Sequence, residues 1–236
     1  PVEMEDLTLH LLPTPRVIGH RISVGRNGEI LIGELEIVPE LQSLIVGPRS
    51  LRLVRASRVA FDESAFAIQR GIPKRRDDPV PLRRLILNTV KFNHSAIDVP
   101  IFNVDVKLGE RLRVREARFE TGDGALTLVV RPHGDDTATV QLRAANWTLP
   151  VGAPLTFDQL AAHGTLKGRQ LEVASVEAAL YGGRLVGAAR ADWGKQLQLA
   201  GSAHLAGVDL APVQKALGRP AKLSGRLKAD AEFSTS

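Results

Sequence analysis

The chain has 236 residues, 44% of them hydrophobic and 24% charged, and its formal net charge of +5 comes from 31 basic against 26 acidic side chains. With a mean hydropathy of −0.03, this composition describes a folded chain with a sizeable core. It excludes disorder, and no apolar run approaches the roughly 20 residues of a membrane-spanning helix. Cysteine is absent, which excludes disulfides, zinc–thiolate sites, iron–sulfur clusters and thiol catalysis.

Aromatic residues, at 4%, are too few for a surface that stacks nucleic-acid bases. The basic surplus is interspersed with acids along the chain, so the charge reads as a solvated surface without a basic stripe. No signal peptide is recognisable. The chain opens on Pro1 and closes just after an alternating pattern, Ala231–Ser236, which reads as a piece of a longer protein.

Three short helices are expected. Pro39–Val46 opens with Pro in a first-turn position and stops before Gly47-Pro48. Residues 61–70 carry Asp62 as an N-cap and end at Gly71. Residues 209–217 begin with Asp209 and are followed by Gly218. Between the second and third, Ile72–Pro81 packs three prolines and five charges into ten residues and has nothing to bury. The expected organisation is a module over 1–72, a charged Pro-rich linker over 73–81, and a repetitive β segment over 82–236.

Elsewhere the dominant period is two. Phe102, Val104, Val106 and Leu108 alternate with polar residues, as do Leu112 and Val114. Leu126, Leu128 and Val130 do the same, and Ala138, Val140 and Leu142 follow after the turn-rich Pro132–Asp136. These last two runs predict a β-hairpin. Leu197 and Leu199 alternate with glutamines, and Leu227, Ala229, Ala231 and Phe233 end the chain. Such runs are strands with one apolar and one wet face. In the last third an apolar-x-Gly-x-apolar unit recurs at Gly164, Gly187, Gly201 and Gly225. Regular glycines of this kind mark a sheet that curls, bulges or admits a close backbone neighbour. The expected fold is mostly β, a curved open antiparallel sheet or half-pipe with the few short helices above.

Sites for covalent chemistry are not evident. The chain has no phosphate loop, no HExxH and no GxSxG elbow, and its six histidines are scattered. Asp77-Asp78 and Asp135-Asp136 fall in solvated, turn-like stretches where nothing would raise a carboxyl pKa. A non-enzymatic protein without metal or cofactor is therefore expected. The informative feature is the amphipathic sheet itself: one short helix cannot cover the apolar face of six or more strands, so the sheet either folds on itself as a closed sandwich core or leaves an apolar trough for a partner or ligand. Aliphatic, Ala- and Gly-rich positions suit acyl chains better than sugars or nucleotides. Strand parity nominates Leu126, Leu128, Val130, Val140, Leu142, Leu185, Leu197, Leu199, Leu223 and Leu227 as groove-lining residues, and a slip of one residue would invert the choice.

Several stretches together resemble the bacterial AsmA-like family of bridge-like lipid-transfer proteins, which are built of repeated β-groove units. They are Asp6–Arg16 with Ile22-Ser23-Val24, Pro39–Val46 with Leu51–Val59, Ala179–Leu185 with Gly187-Ala188-Ala189, and Gly207–Leu227. The resemblance spans nearly the whole chain, and its motifs are structural. It implies a periplasmic body tethered to the inner membrane upstream of Pro1. It also implies a groove carrying phospholipid toward the outer membrane, with protein partners at either membrane and no nucleic acid. A periplasmic scaffold with a covered sheet, acting in outer-membrane assembly, is the alternative.

Overall fold

The computed structural model describes residues 2–25, 28–46, 49–65, 80–93, 99–134, 136–149, 154–194, 198–220 and 222–235. Among the described residues the fold is mostly β, with fourteen strands in an open, largely antiparallel arrangement and short helices at 41–45 and 210–216, as the period-two patterning predicts. The chain divides into two compact units, Pro1–Gly122 and Asp123–Ser236.

In the first unit seven strands lie side by side in chain order: β1 (Val2–His10), β2 (Arg16–Val24), β3 (Ile30–Pro39), β4 (Leu51–Asp62), β5 (Leu82–Asn93), β6 (Phe102–Leu108) and β7 (Val114–Thr121). Neighbours are antiparallel except β4 and β5, which run parallel from Leu51↔Leu82 to Asp62↔Asn93. Helix α1 (Leu41–Ile45) joins β3 to β4, lies within the expected span 39–46 and buries no residue. The expected helix over 61–70 is not the local structure at its start. Strand β4 continues through Phe61 and Asp62, because Phe61 pairs with Ile30 on one side and Phe92 on the other. Residues 66–70 lie outside the described residues, as does most of the charged stretch 73–81.

The second unit repeats the plan with seven strands. They are β8 (Leu126–Pro132), β9 (Thr137–Thr148), β10 (Thr156–Lys167), β11 (Gln170–Leu180), β12 (Gly183–Asp192), β13 (Gln198–Asp209) and β14 (Arg226–Ser234). The predicted hairpin is β8–β9, with Leu128 opposite Leu142. Helix α2 (Leu210–Ala216) follows β13, close to the expected 209–217. The Asp209 carboxylate accepts the Ala211 N–H at 3.1 Å, and Gly218 follows with φ +69°. Leu180–Tyr181–Gly182–Gly183 turns the chain from β11 into β12 with positive φ at both Tyr181 and Gly182, the geometry that matches strand twist in a two-residue hairpin.

Each unit has one small core. In the first, Ala56, Val59, Val90 and Val104 are buried, with Ile32, Leu35, Leu87, Phe102 and Phe119 packed around them. In the second, Phe157, Ala178, Leu180 and Val208 are buried beneath Trp147, Tyr181, Leu205 and Val213 of α2. Among the described residues only Val90 and Val208 lose essentially all their exposure. Most other apolar side chains of these faces are half-buried, the state expected of an open sheet on which, among the described residues, no second layer of sheet packs.

Candidate functional site: an uncovered apolar sheet face

Directly opposed residues on neighbouring strands project to the same face of a sheet, so the register defines the faces without ambiguity. In the second unit one row runs Leu128–Leu142–Ala162–Val176–Gly187–Ala203–Ala231 across β8 to β14. The adjacent row runs Leu126–Ala144–Leu160–Ala178–Leu185–Leu205–Ala229. A third runs Val130–Val140–Gly164–Val173–Ala189–Gly201–Phe233. Not one of these 21 positions carries a polar side chain. Leu199 opposite Ala191 and Leu227 opposite Val208 belong to the same face.

The other face of this unit is polar. It presents Arg143, Gln141, Glu172, Arg190, Asp230 and Glu232, with ion pairs such as Arg184–Glu177 at 2.8 Å and a short contact between His204 Nδ1 and the Asp230 carboxylate. That contact and its charge hold the Asp230 carboxyl below the usual carboxylate range.

Eight of the ten residues nominated by parity therefore share one face: Leu126, Leu128, Val130, Val140, Leu142, Leu185, Leu199 and Leu227. Leu223 is not brought to it. The connection after α2 runs through Gly225, with φ +127°, and β14 begins only at Arg226, so Leu223 stands exposed before the strand. Leu197 lies outside the described residues.

Three of the four recurring glycines lie on the apolar face, and all three show why a side chain is missing there. A Cβ on Gly187 would run into the Ser202 carbonyl oxygen, and one on Gly164 or Gly201 would stand 2.6 Å from that of Glu172 or Ala188, respectively. Register shifts accompany Gly164 and Gly187, at His163/Gly164 and between Val173 and Val176. Close approach and bulging thus occur together.

The first unit has an equivalent face that sequence parity missed. Its apolar runs change phase within strands. In β4, Val54 and Ala56 precede Arg58, and Val59 and Phe61 follow it. Strict alternation would send the second pair to the wet side, yet Ala56 and Val59 share one buried cluster. The switch is made at residues with left-handed backbone: Arg21 in β2, Arg58 in β4 and Thr89 in β5, at φ +50°, +56° and +54°. Arg21 falls between the pairs His20↔Glu34 and Ile22↔Ile32, and Arg58 between Ser57↔Glu34 and Val59↔Ile32. These residues therefore form a transverse row. The Thr89 N–H donates to Asn103 Oδ1 at 2.9 Å, which satisfies a donor that the register shift between β5 and β6 would leave without a ladder partner. The signal was present in the sequence as Ala-Ser-Arg-Val and Leu-Asn-Thr-Val, two polar residues in succession inside otherwise alternating strands.

With the phase restored, the face carries Met4, Ile22, Ile32, Leu35, Val59, Phe61, Leu87, Val90, Phe92, Phe102, Val104 and Phe119, and the Phe61 and Phe92 rings lie 5.2 Å apart. Its opposite face is laced with cross-strand ion pairs, among them Arg55–Glu36 at 2.5 Å, Arg84–Asp105 at 2.6 Å and Lys107–Glu116 at 2.9 Å.

Among the described residues no three His, Asp or Glu side chains gather in a way that could hold a metal ion. What the arrangement offers chemically is a dry, hydrocarbon-lined surface on a polar-backed sheet. No family model, curated protein or solved structure matches the chain.

Proposed function

We propose that the apolar faces bind lipid acyl chains, and that the protein is a non-enzymatic lipid handler of the bacterial envelope. In this reading phospholipid moves along the faces between inner and outer membrane, as the resemblance to the AsmA-like family implies. The observation that carries the proposal is the apolar face of β8–β14, met by Val213 of α2 but otherwise without a covering layer among the described residues, where rows seven strands wide contain no hydrogen-bonding side chain. Burying hydrocarbon contributes about 0.8 kcal/mol per methylene, so eight methylenes seated there would gain about 6 kcal/mol without any polar recognition. The same absence of polar groups lets a chain slide, since no hydrogen bond fixes its position. Head groups would stay in water at the strand ends.

The test is site-specific photo-crosslinking to labelled phospholipid at Leu128 and, separately, at Val129. Leu128 lies on the apolar face and Val129, opposite Gln141, on the polar one. The expected outcome is lipid capture at Leu128 and little at Val129. Capture of protein instead of lipid at Leu128 would favour the scaffold reading, and capture of neither would remove the support for a conduit.

A further inference from the structure

The first unit has two edges formed by strand ends, and they differ in chemistry. One edge gathers the β1–β2 turn, helix α1, the start of β5 and the β6–β7 connection, as the pairs His10↔Arg16, Pro39↔Leu51, Leu51↔Leu82 and Leu108↔Val114 show. Large apolar side chains stand in solvent there: Leu12 is 84% exposed, Ile45 86% and Val46 78%, with Leu44 and Leu112 beside them. Helix α1 buries none of its residues, so its leucines and isoleucine serve no core.

The same edge is basic. Arg49, Arg83, Arg111, Arg113 and Arg115 outnumber Glu40 and Glu110, and Glu40 is already engaged by Arg83 at 3.0 Å. Arg49, Arg111 and Arg115 make no ion pair among the described residues. Left-handed backbone at Arg111 and Leu112 turns this tip outward, and a depression of about 390 Å³ between Ser50, Leu82, Arg83, Leu108 and Arg115 opens onto it. At the opposite edge the described charges are chiefly acidic, with Glu3, Glu29, Asp62 and Glu63 against Lys91.

Exposed aliphatic tips set among arginines match a bilayer interface, where the tips enter the acyl boundary and the arginines meet phosphate. We propose that this edge of the first unit docks peripherally on an anionic membrane surface, with Leu12, Ile45 and Val46 as the inserted residues and Arg49 and Arg111 as phosphate contacts. Turning the unit over would place the described carboxylates of the opposite edge, Glu3, Glu29, Asp62 and Glu63, against the lipid phosphates. The proposal stands whether or not the sheet carries lipid, since none of these residues lies on the apolar face.

The test uses the full chain with vesicles of phosphatidylcholine alone or mixed with phosphatidylglycerol. Tryptophan reporters are placed by Ile45→Trp at the docking edge and Ile101→Trp at the opposite one. Read as the difference from the unmodified chain, whose Trp147 and Trp193 also emit, Ile45→Trp should shift to the blue and be quenched by brominated acyl chains in anionic vesicles only, and Ile101→Trp should do neither. The double variant Arg49→Gln/Arg111→Gln, with an unchanged circular dichroism spectrum, should bind the anionic vesicles about 30-fold more weakly, and high salt should act in the same direction. Equal binding to neutral vesicles, equal quenching at both edges, or binding to an acidic polypeptide but not to vesicles would overturn it. Crosslinking at Leu128 reports on the sheet face alone, so failure there and failure at this edge are distinguishable.

Discussion

Asp105 shows how the polar face responds to pH. The Arg84 guanidinium donates to it twice, Nε to Oδ1 at 2.8 Å and Nη2 to Oδ2 at 2.6 Å, and this bidentate contact holds the carboxyl below its ordinary value of 3.8. A depressed folded-state pKa means that the stabilisation is complete above the unfolded value and fades as pH falls through the lower folded one. Both groups are partly solvated, so the pair contributes about 0.5 kcal/mol. Asp105→Asn should therefore lower the urea midpoint slightly at neutral pH and should flatten its decline below about pH 4, compared with the unmodified chain. Glycine acts at the same scale on the other face. With the Ser202 carbonyl oxygen in the way, even alanine at Gly187 must displace the neighbouring strand.

Individual elements show what alternation alone can and cannot convey. Strands β6, β8 and β9 are legible because their apolar residues keep one phase from end to end of the runs read. The sides of Leu128 and Val129 follow directly from them. Strands β2, β4 and β5 are not, because Arg21, Arg58 and Thr89 adopt a backbone that no propensity scale assigns to arginine or threonine. The left-handed conformation costs an L-residue roughly 1–2 kcal/mol, and here the sheet enforces it to keep Leu87 and Val90 on one face. Thr89→Gly should consequently raise stability by about 1 kcal/mol, and Thr89→Val should lower it, both read from denaturant midpoints. Loss of stability on Thr89→Gly would show that the Thr89 side chain, and not its backbone, sustains the row. The helix expected over 61–70 does not begin at Phe61 for a related reason: Asp62 is a local signal, and the cross-strand pairing of Phe61 outweighs it there, while residues 66–70 lie outside the described residues.

For the whole molecule, the sequence displayed the fold class because an open sheet writes its pattern locally: its strands are amphipathic and most of its turns are short. The apolar face of the second unit was legible in eight of its nominated residues for the same reason. That of the first unit was not, since it depends on where the phase changes. Nor could alternation reveal the basic and apolar edge. Its residues come from three separate connections and become neighbours only through the register of β1 to β7.

Strand order has a consequence for how the second unit gains and loses structure. Every pairing from β8–β9 to β13–β14 joins strands consecutive in the chain, so ordering each strand requires only a short loop closure onto its predecessor. Stability in such an array is largely a sum of nearest-neighbour terms, with the cluster around Ala178, Leu180 and Val208 tying its middle strands together. Amide exchange should then be graded: slow near the buried Ala178 and Leu180 of β11, faster toward β14, whose described residues pair on one side only. In the first unit β4 and β5 are also consecutive in the chain, yet they are joined by a long closure. Their parallel register requires the chain to travel back the full length of a strand before the first contact forms. Zippering proceeds freely through the second unit and must wait at that crossing in the first.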